Sequence, residues 1–191
     1  LIKLKRRAPR KYFINAKIKQ LALDLKVHGY SPEEGLNKLS NDYENKNYKH
    51  WIYRALGDYY SNTSIDSLTV YFLNLSLRSK NIDYPTKERN YRDLADFYFD
   101  KGEYILSGKY LDSLIRILPD FTYESKIAAR ERDNLDNVIK YEKIAKSTDS
   151  ILYILSLTRE KQIEFFRNLI LEKQAKELTM INRGKKRFKL F

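Results

Sequence analysis

Large apolar residues recur at helical spacing through the middle of this chain. Tyr53, Leu56 and Tyr60 stand at i, i+3 and i+7, and Tyr91, Leu94 and Tyr98 restate the arrangement with a 38-residue offset. The polar positions keep the same register, because Tyr53-Arg-Ala-Leu-Gly-Asp-Tyr-Tyr60 returns as Tyr91-Arg-Asp-Leu-Ala-Asp-Phe-Tyr98. In both copies a large residue precedes a very small one, Gly57 or Ala95, and a second helix can approach closely there. Downstream of the second copy, Gly102 can take the left-handed conformation that ends a helix. A second stripe then runs through Leu106, Tyr110, Leu111 and Leu114 to Leu118, and Pro119 stops it. The pattern predicts helix, tight turn, helix, in units that bury their apolar faces only by stacking on one another.

The flanks carry weaker forms of the pattern. Residues 12 to 49 read as a further hairpin: a helix from Tyr12 to Val27 closed by His28-Gly29, then a second helix opened by Ser31-Pro32-Glu33-Glu34 as N-cap, first-turn proline and capping box. Leu36, Leu39 and Tyr43 are its expected buried stripe. Past Pro119 the period is lost. Apolar Ile127, Ala128, Leu135, Val138, Ile139 and Ile144 suit one long helix from Thr122 to Lys146 that caps the last hairpin. A short capped helix from Ser147 to Leu157 and another through Ile163, Phe165, Phe166, Leu169 and Ile170 are expected to fold back onto that cap.

The second unit, with Tyr91, Leu94-Ala95, Tyr98, Gly102, Ser107, Leu111 and Pro119, resembles the tetratricopeptide (TPR) repeat at its 34-residue spacing. In the first unit Tyr53, Leu56-Gly57, Tyr60, Thr69, Leu73 and Ser76 fit, but no proline closes it, and Asn81 to Lys87 lengthens it. The expected fold is all-α, a TPR-like solenoid of helical hairpins with a long C-terminal capping helix. The domain plan is the end of a preceding repeat in 1–11, three hairpins in 12–121, capping and fold-back helices in 122–182 and a basic tail in 183–191.

Composition narrows the function. With 42% hydrophobic and 14% aromatic residues among 191, the chain is too apolar for disorder. It holds no apolar run long enough to span a bilayer. It has no cysteine, hence no thiolate metal site or disulfide. It opens on Leu1, inside what reads as a broken repeat, and so reads as part of a longer protein. The net charge of +12 sits almost wholly at the ends, with six Lys or Arg in residues 1–11 and five in 183–191, while residues 50–121 carry 9 basic against 10 acidic side chains. A phosphate-binding face needs unbalanced cations along the folded surface, which disfavours nucleic acid. His28 and His50 both stand beside helix ends, and Asp58 and Asp96 recur with the repeat instead of converging. With no phosphate loop, nucleophile motif or ligand spacing, neither an enzyme nor a cofactor or metal is expected.

The whole chain bears a more particular resemblance. Ala8-Pro-Arg-Lys-Tyr-Phe-Ile-Asn-Ala-Lys17, Trp51-Ile-Tyr-Arg-Ala-Leu-Gly57, Leu94-Ala-Asp-Phe-Tyr-Phe-Asp100, Arg132-Asp-Asn-Leu-Asp-Asn-Val138 and Asp149-Ser-Ile-Leu-Tyr-Ile-Leu-Ser-Leu157 resemble, in that order, the C-terminal part of the TPR array of the SprE/PorW family. These are Bacteroidota lipoproteins needed for type IX secretion and gliding motility. The resemblance implies a non-catalytic periplasmic scaffold, held to the outer membrane by a lipid outside this chain, whose partners are the outer-membrane translocon and the periplasmic ring. The alternative is a cytoplasmic TPR module that captures a peptide or chaperone tail. Dicarboxylate-clamp TPR domains use Lys and Asn where this chain has Arg54, Asp58, Arg92 and Asp96, and an aspartate there repels a carboxylate. In TPR arrays the first helix of each hairpin lines the concave face, so the candidate partner-binding residues are Trp51, Arg54, Asp58, Arg89, Arg92, Asp96 and Phe99.

Overall fold

The structure, a computed structural model, describes residues 9–188, with side chains described through Thr179. Every regular element among the described residues is helical. The order is α1 (Arg10–His28), α2 (Glu33–Asn41), a 3-10 segment (Tyr43–Tyr48), α3 (Lys49–Asn62), α4 (Asp66–Leu77), α5 (Tyr84–Asp100), α6 (Tyr104–Ile115), α7 (Tyr123–Asn134), α8 (Asp136–Ser156) and α9 (Arg159–Phe188). The expected preceding repeat therefore lies outside the described residues except for its last three positions. The expected basic tail is helical through Phe188, and its final residues lie outside too. Two compact units divide the chain between Ile139 and Lys140. No helix among the described residues is long and apolar enough to cross a membrane.

In the first unit the period seen in the letters recurs in three dimensions. Tyr60 stacks on Phe72 at 5.4 Å and 8°, and one period on Tyr98 stacks on Tyr110 at 5.5 Å and 7°. Tyr53 meets Phe72 at 6.4 Å, as Tyr91 meets Tyr110 at 6.5 Å. Gly57 is small because α4 lies against it: a Cβ there would stand 2.8 Å from Leu73 Cδ2. Its counterpart Ala95 is buried in the cluster that contains Leu111. The α5–α6 turn has Gly102 at φ 73°, so Glu103 N–H can donate to Tyr98 O at 2.9 Å, whereas the α3–α4 turn puts Ser64 at φ 57° in the same place. The proline expectation also holds, with backbone bonding of α6 continuing to Leu118 N–H, just before Pro119.

Two apolar clusters form the core. One gathers Ile14, Leu36, Ile52, Leu56 and Tyr60; the other gathers Ala95, Leu111, Leu114, Leu118, Ala128, Leu135 and Ile139. Between them lie buried polar groups. Ser76 Oγ–H donates to His50 O at 2.8 Å, Asn90 Nδ2 donates to Ser76 Oγ at 2.8 Å, and Asn90 Oδ1 accepts from the Arg54 guanidinium at 2.8 Å. Asn90 and Ser76 are wholly enclosed, so each must find its bonds inside the protein.

Several expectations are corrected. Tyr43 is not buried: α2 stops at Asn41, and Tyr43 lies in the 3-10 segment, 76% exposed. The buried residue of that segment is Asn45, which accepts from Arg10 Nε at 2.7 Å and donates to Leu39 O at 2.8 Å. The capping box opposite Ser31 does not close, because Glu34 turns to Lys38 at 2.7 Å. The single helix expected from Thr122 to Lys146 breaks after Asn134, where the Leu135 amide is shared between Glu131 O and Arg132 O. Leu135 and Ile139, one turn apart, both enter the core, and Ile139 fills the space over Gly108. Nor does a separate helix begin at Ser147. α8 runs straight through it, and Ser150 Oγ–H folds back onto Lys146 O at 2.8 Å.

The second unit consists of the rest of α8 and of α9. Gln162 closes the joint between these helices by donating its amide to Ile154 O at 2.9 Å and Leu157 O at 3.1 Å. Ile151, Leu155, Ile163, Phe166 and Ile170 are each more than half exposed.

Candidate interaction surface

The seven residues named from the sequence fall into two sets. Trp51, Arg54, Asp58 and Arg92 are tied to the protein itself. Trp51 stacks on Tyr48 at 5.5 Å and donates its indole N–H to Asp83 Oδ2 at 2.6 Å. Asp83 is the N-cap of α5, accepting from Thr86 N–H at 2.8 Å, and His50 Nε2 lies 3.3 Å from the same carboxylate. Partial burial works against the Asp83 carboxylate, but the bonds from Thr86 and Trp51 and the nearby imidazole outweigh it and hold its pKa below the usual value. The indole thus locks α3 to the start of α5.

The arginines form rungs between helices. Arg54 pairs with Asp58 one turn along α3 at 3.0 Å and reaches across to Asp93 on α5. Arg92, the equivalent residue one period later, lies 3.7 Å from Asp96 and reaches across to Glu131 on α7. The Arg54 side chain is only 11% exposed. Burial raises the pKa of Asp58 against the pull of Arg54, and burial likewise raises that of Asp96, helped by Glu131 and Asp93 and opposed by Arg92. These paired charges hold the register of successive hairpins; their guanidinium groups are already occupied.

Arg89, Asp96 and Phe99 form the second set and keep surface turned to solvent. Phe99 is 51% exposed, with its edge against Tyr104. Asp96 and Phe99 stand at a recess of about 590 Å3 that also touches Asp100, Glu131, Leu135 and Val138. The structure thus splits the sequence-derived site between a structural ladder and a smaller outward face, which it extends beyond the residues foreseen. The sequence places Leu135 and Val138 in the capping helix and gives Asp100 and Glu131 no role of their own. What would have placed them together is the 38-residue offset from Asp93 to Glu131, which is visible only once the Arg54 rung is known.

Among the described residues no group of three or more His, Asp or Glu is placed to hold a metal ion. His50 is buried, and its Nδ1 has no hydrogen-bond partner among them. No protein-family model matches the chain, and no curated protein matches it either. The surface must therefore be read from its own chemistry, which is a mixed-charge, partly aromatic face.

Proposed function

We propose that this protein is a non-catalytic TPR-like scaffold, an adaptor that links components of a type IX secretion and gliding machine at the periplasmic side of the outer membrane. The observation that supports the solenoid part is the double recurrence, one period apart, of the stacked ring pair and of the arginine rung. Stacked hairpins present a broad helical face, and a face of Arg, Asp and aromatic side chains suits a folded protein partner. The secretion part rests on the resemblance of the ordered segments to the SprE/PorW family. On this reading the partners are the translocon and the periplasmic ring, and the membrane is reached through a lipid outside this chain.

The test is a pull-down of those components from a gliding bacterium, comparing the parent protein with an Arg89→Glu, Phe99→Ala double variant. Both positions are exposed, so the variant should melt with the parent. The expected result is recovery of the components by the parent and a loss on the order of tenfold by the variant, as truncation of a hot spot produces. Recovery of nothing by the folded parent would sink the adaptor reading. Equal recovery by both would remove this face from it.

A further inference from the structure

The recess beside Phe99 has a chemistry that the rest of the chain does not foreshadow. Asp96 and Asp100 on α5 and Glu131 on α7 stand at its rim, and no lysine or arginine lines it. Arg92 draws on Asp96 and Glu131 from outside, but Asp100 makes no ion pair among the described residues. The walls of the recess are apolar. Phe99 and Val138 are 51% and 39% exposed, leaving ring and aliphatic surface against water directly beside the carboxylates.

The feature belongs to one unit alone. One period earlier, Phe99 and Asp100 are replaced by Ser61 and Asn62, so the first hairpin has neither the aromatic wall nor the unpaired carboxylate. Packing of successive hairpins therefore does not require either group.

We infer that this recess is a docking site for a basic, apolar segment of a partner protein, one that inserts a large aliphatic or aromatic side chain between Phe99 and Val138 and sets a flanking lysine or arginine against Asp100. The inference rests on the adaptor reading for its biological setting, and on complementarity of charge and apolar surface for its chemistry. A volume of about 590 Å3 falls in the range of sites that enclose a few side chains. An acidic tail would meet like charge, and an uncharged apolar segment would strip water from Asp100 with nothing in return.

The test uses the full chain and two fluorescein-labelled synthetic nonapeptides, Gly-Ser-Lys-Leu-Phe-Arg-Leu-Gly-Ser and the same peptide with Glu in place of Lys and Arg. Fluorescence anisotropy should give the basic peptide a Kd on the order of tens of micromolar that weakens with salt, and the acidic one a Kd at least about tenfold weaker. Asp100→Lys should weaken the basic peptide by roughly the same factor, while Asp120→Lys, an identical change of charge in the loop after α6, should leave it nearly unchanged. Equal binding of both peptides overturns the proposal, and so do equal effects of the two variants. Adding Asp100→Lys to the pull-down keeps the two readings apart. Partners recovered alike by parent and Asp100→Lys leave the adaptor standing and remove the recess from it; intact peptide binding with no partner recovered does the reverse.

Discussion

Two seams join consecutive hairpins in the first unit, and they are built from opposite materials on the same plan. Where α3 and α4 meet α5, the enclosed positions are Ser76 and Asn90, linked in a relay from His50 O to the Arg54 guanidinium. Where α5 and α6 meet α7, the equivalent positions one period on are Leu114 and Ala128, both sealed in an apolar cluster. The flanking rungs, Arg54 to Asp93 and Arg92 to Glu131, are retained at both. Buried hydrogen bonds add little net stability but penalise any misfit, whereas apolar contacts stabilise without fixing an exact alignment. The first seam is thus the one that sets register, and the second the one that adds strength.

The comparison can be broken most forcefully at the second seam. Leu114→Ser leaves a void and a polar side chain in an apolar cluster, and should cost about 2 to 5 kcal/mol of stability in urea denaturation. A cost near zero would mean that the apolar seam does not carry the load assigned to it. At the first seam, Asn90→Ala removes the donor to Ser76 Oγ and one acceptor of Arg54, and should cost about 1 to 3 kcal/mol. Adding Ser76→Leu to Asn90→Ala copies the second seam into the first, and the pair should cost less than the sum of its members by about 0.5 to 3 kcal/mol. Strict additivity would show that the two residues do not act together.

The smallest expected effect is one of pH, and it concerns the first seam only, since Glu88 stands where His50 would recur. Burial outweighs the neighbouring Asp83 and holds the His50 imidazole below its ordinary pKa of 6.5. The unfolded chain therefore takes up the proton first as pH falls. The stability that His50 supplies is whole above about 6.5 and is lost as pH drops through the lower folded value. The urea midpoint of the parent should decline through that window, and His50→Gln should flatten the decline. An identical slope in both would remove His50 as its source.

Much of this organisation was legible in the sequence, because helix stripes and glycine turns are local. Tyr53, Leu56 and Tyr60 announced α3, and Gly29 and Gly102 marked where helices end. Asn45 and Asn90 were not legible, since a polar residue on a helix reads as solvent-facing until its distant partner is known; Ser76 was legible as a repeat position, but its bonds to His50 and Asn90 were not. The kink at Leu135 was hidden too. No glycine or proline stands near it, and only Asp133-Asn134 and Asp136-Asn137, residues that favour caps over helix interiors, mark the break. At the candidate surface, the intrahelical partners Asp58 and Asp96 could be read one helical turn away from their arginines. The cross-helix partners Asp93 and Glu131, which stand more than a full period along the chain, could not.

The arginine rungs bear on how such a chain could lengthen or shorten. Each 38-residue block from Arg54 or Arg92 carries one complete pair, closed by its own Asp58 or Asp96, and one open valence that is met only by the block that follows. A duplicate of the block that begins at Arg92 would arrive with Asp93, the carboxylate its predecessor needs, and with a fresh guanidinium for its successor, whereas the block that begins at Arg54 has Ala55 in that place. Tandem duplication of the Arg92 block, in frame, would thus conserve the count of satisfied charges everywhere but at the last block. There the open valence is met by Glu131 on α7, a helix outside the repeating pattern, so the element that ends the series has the ion-pairing half of a repeat without its hairpin.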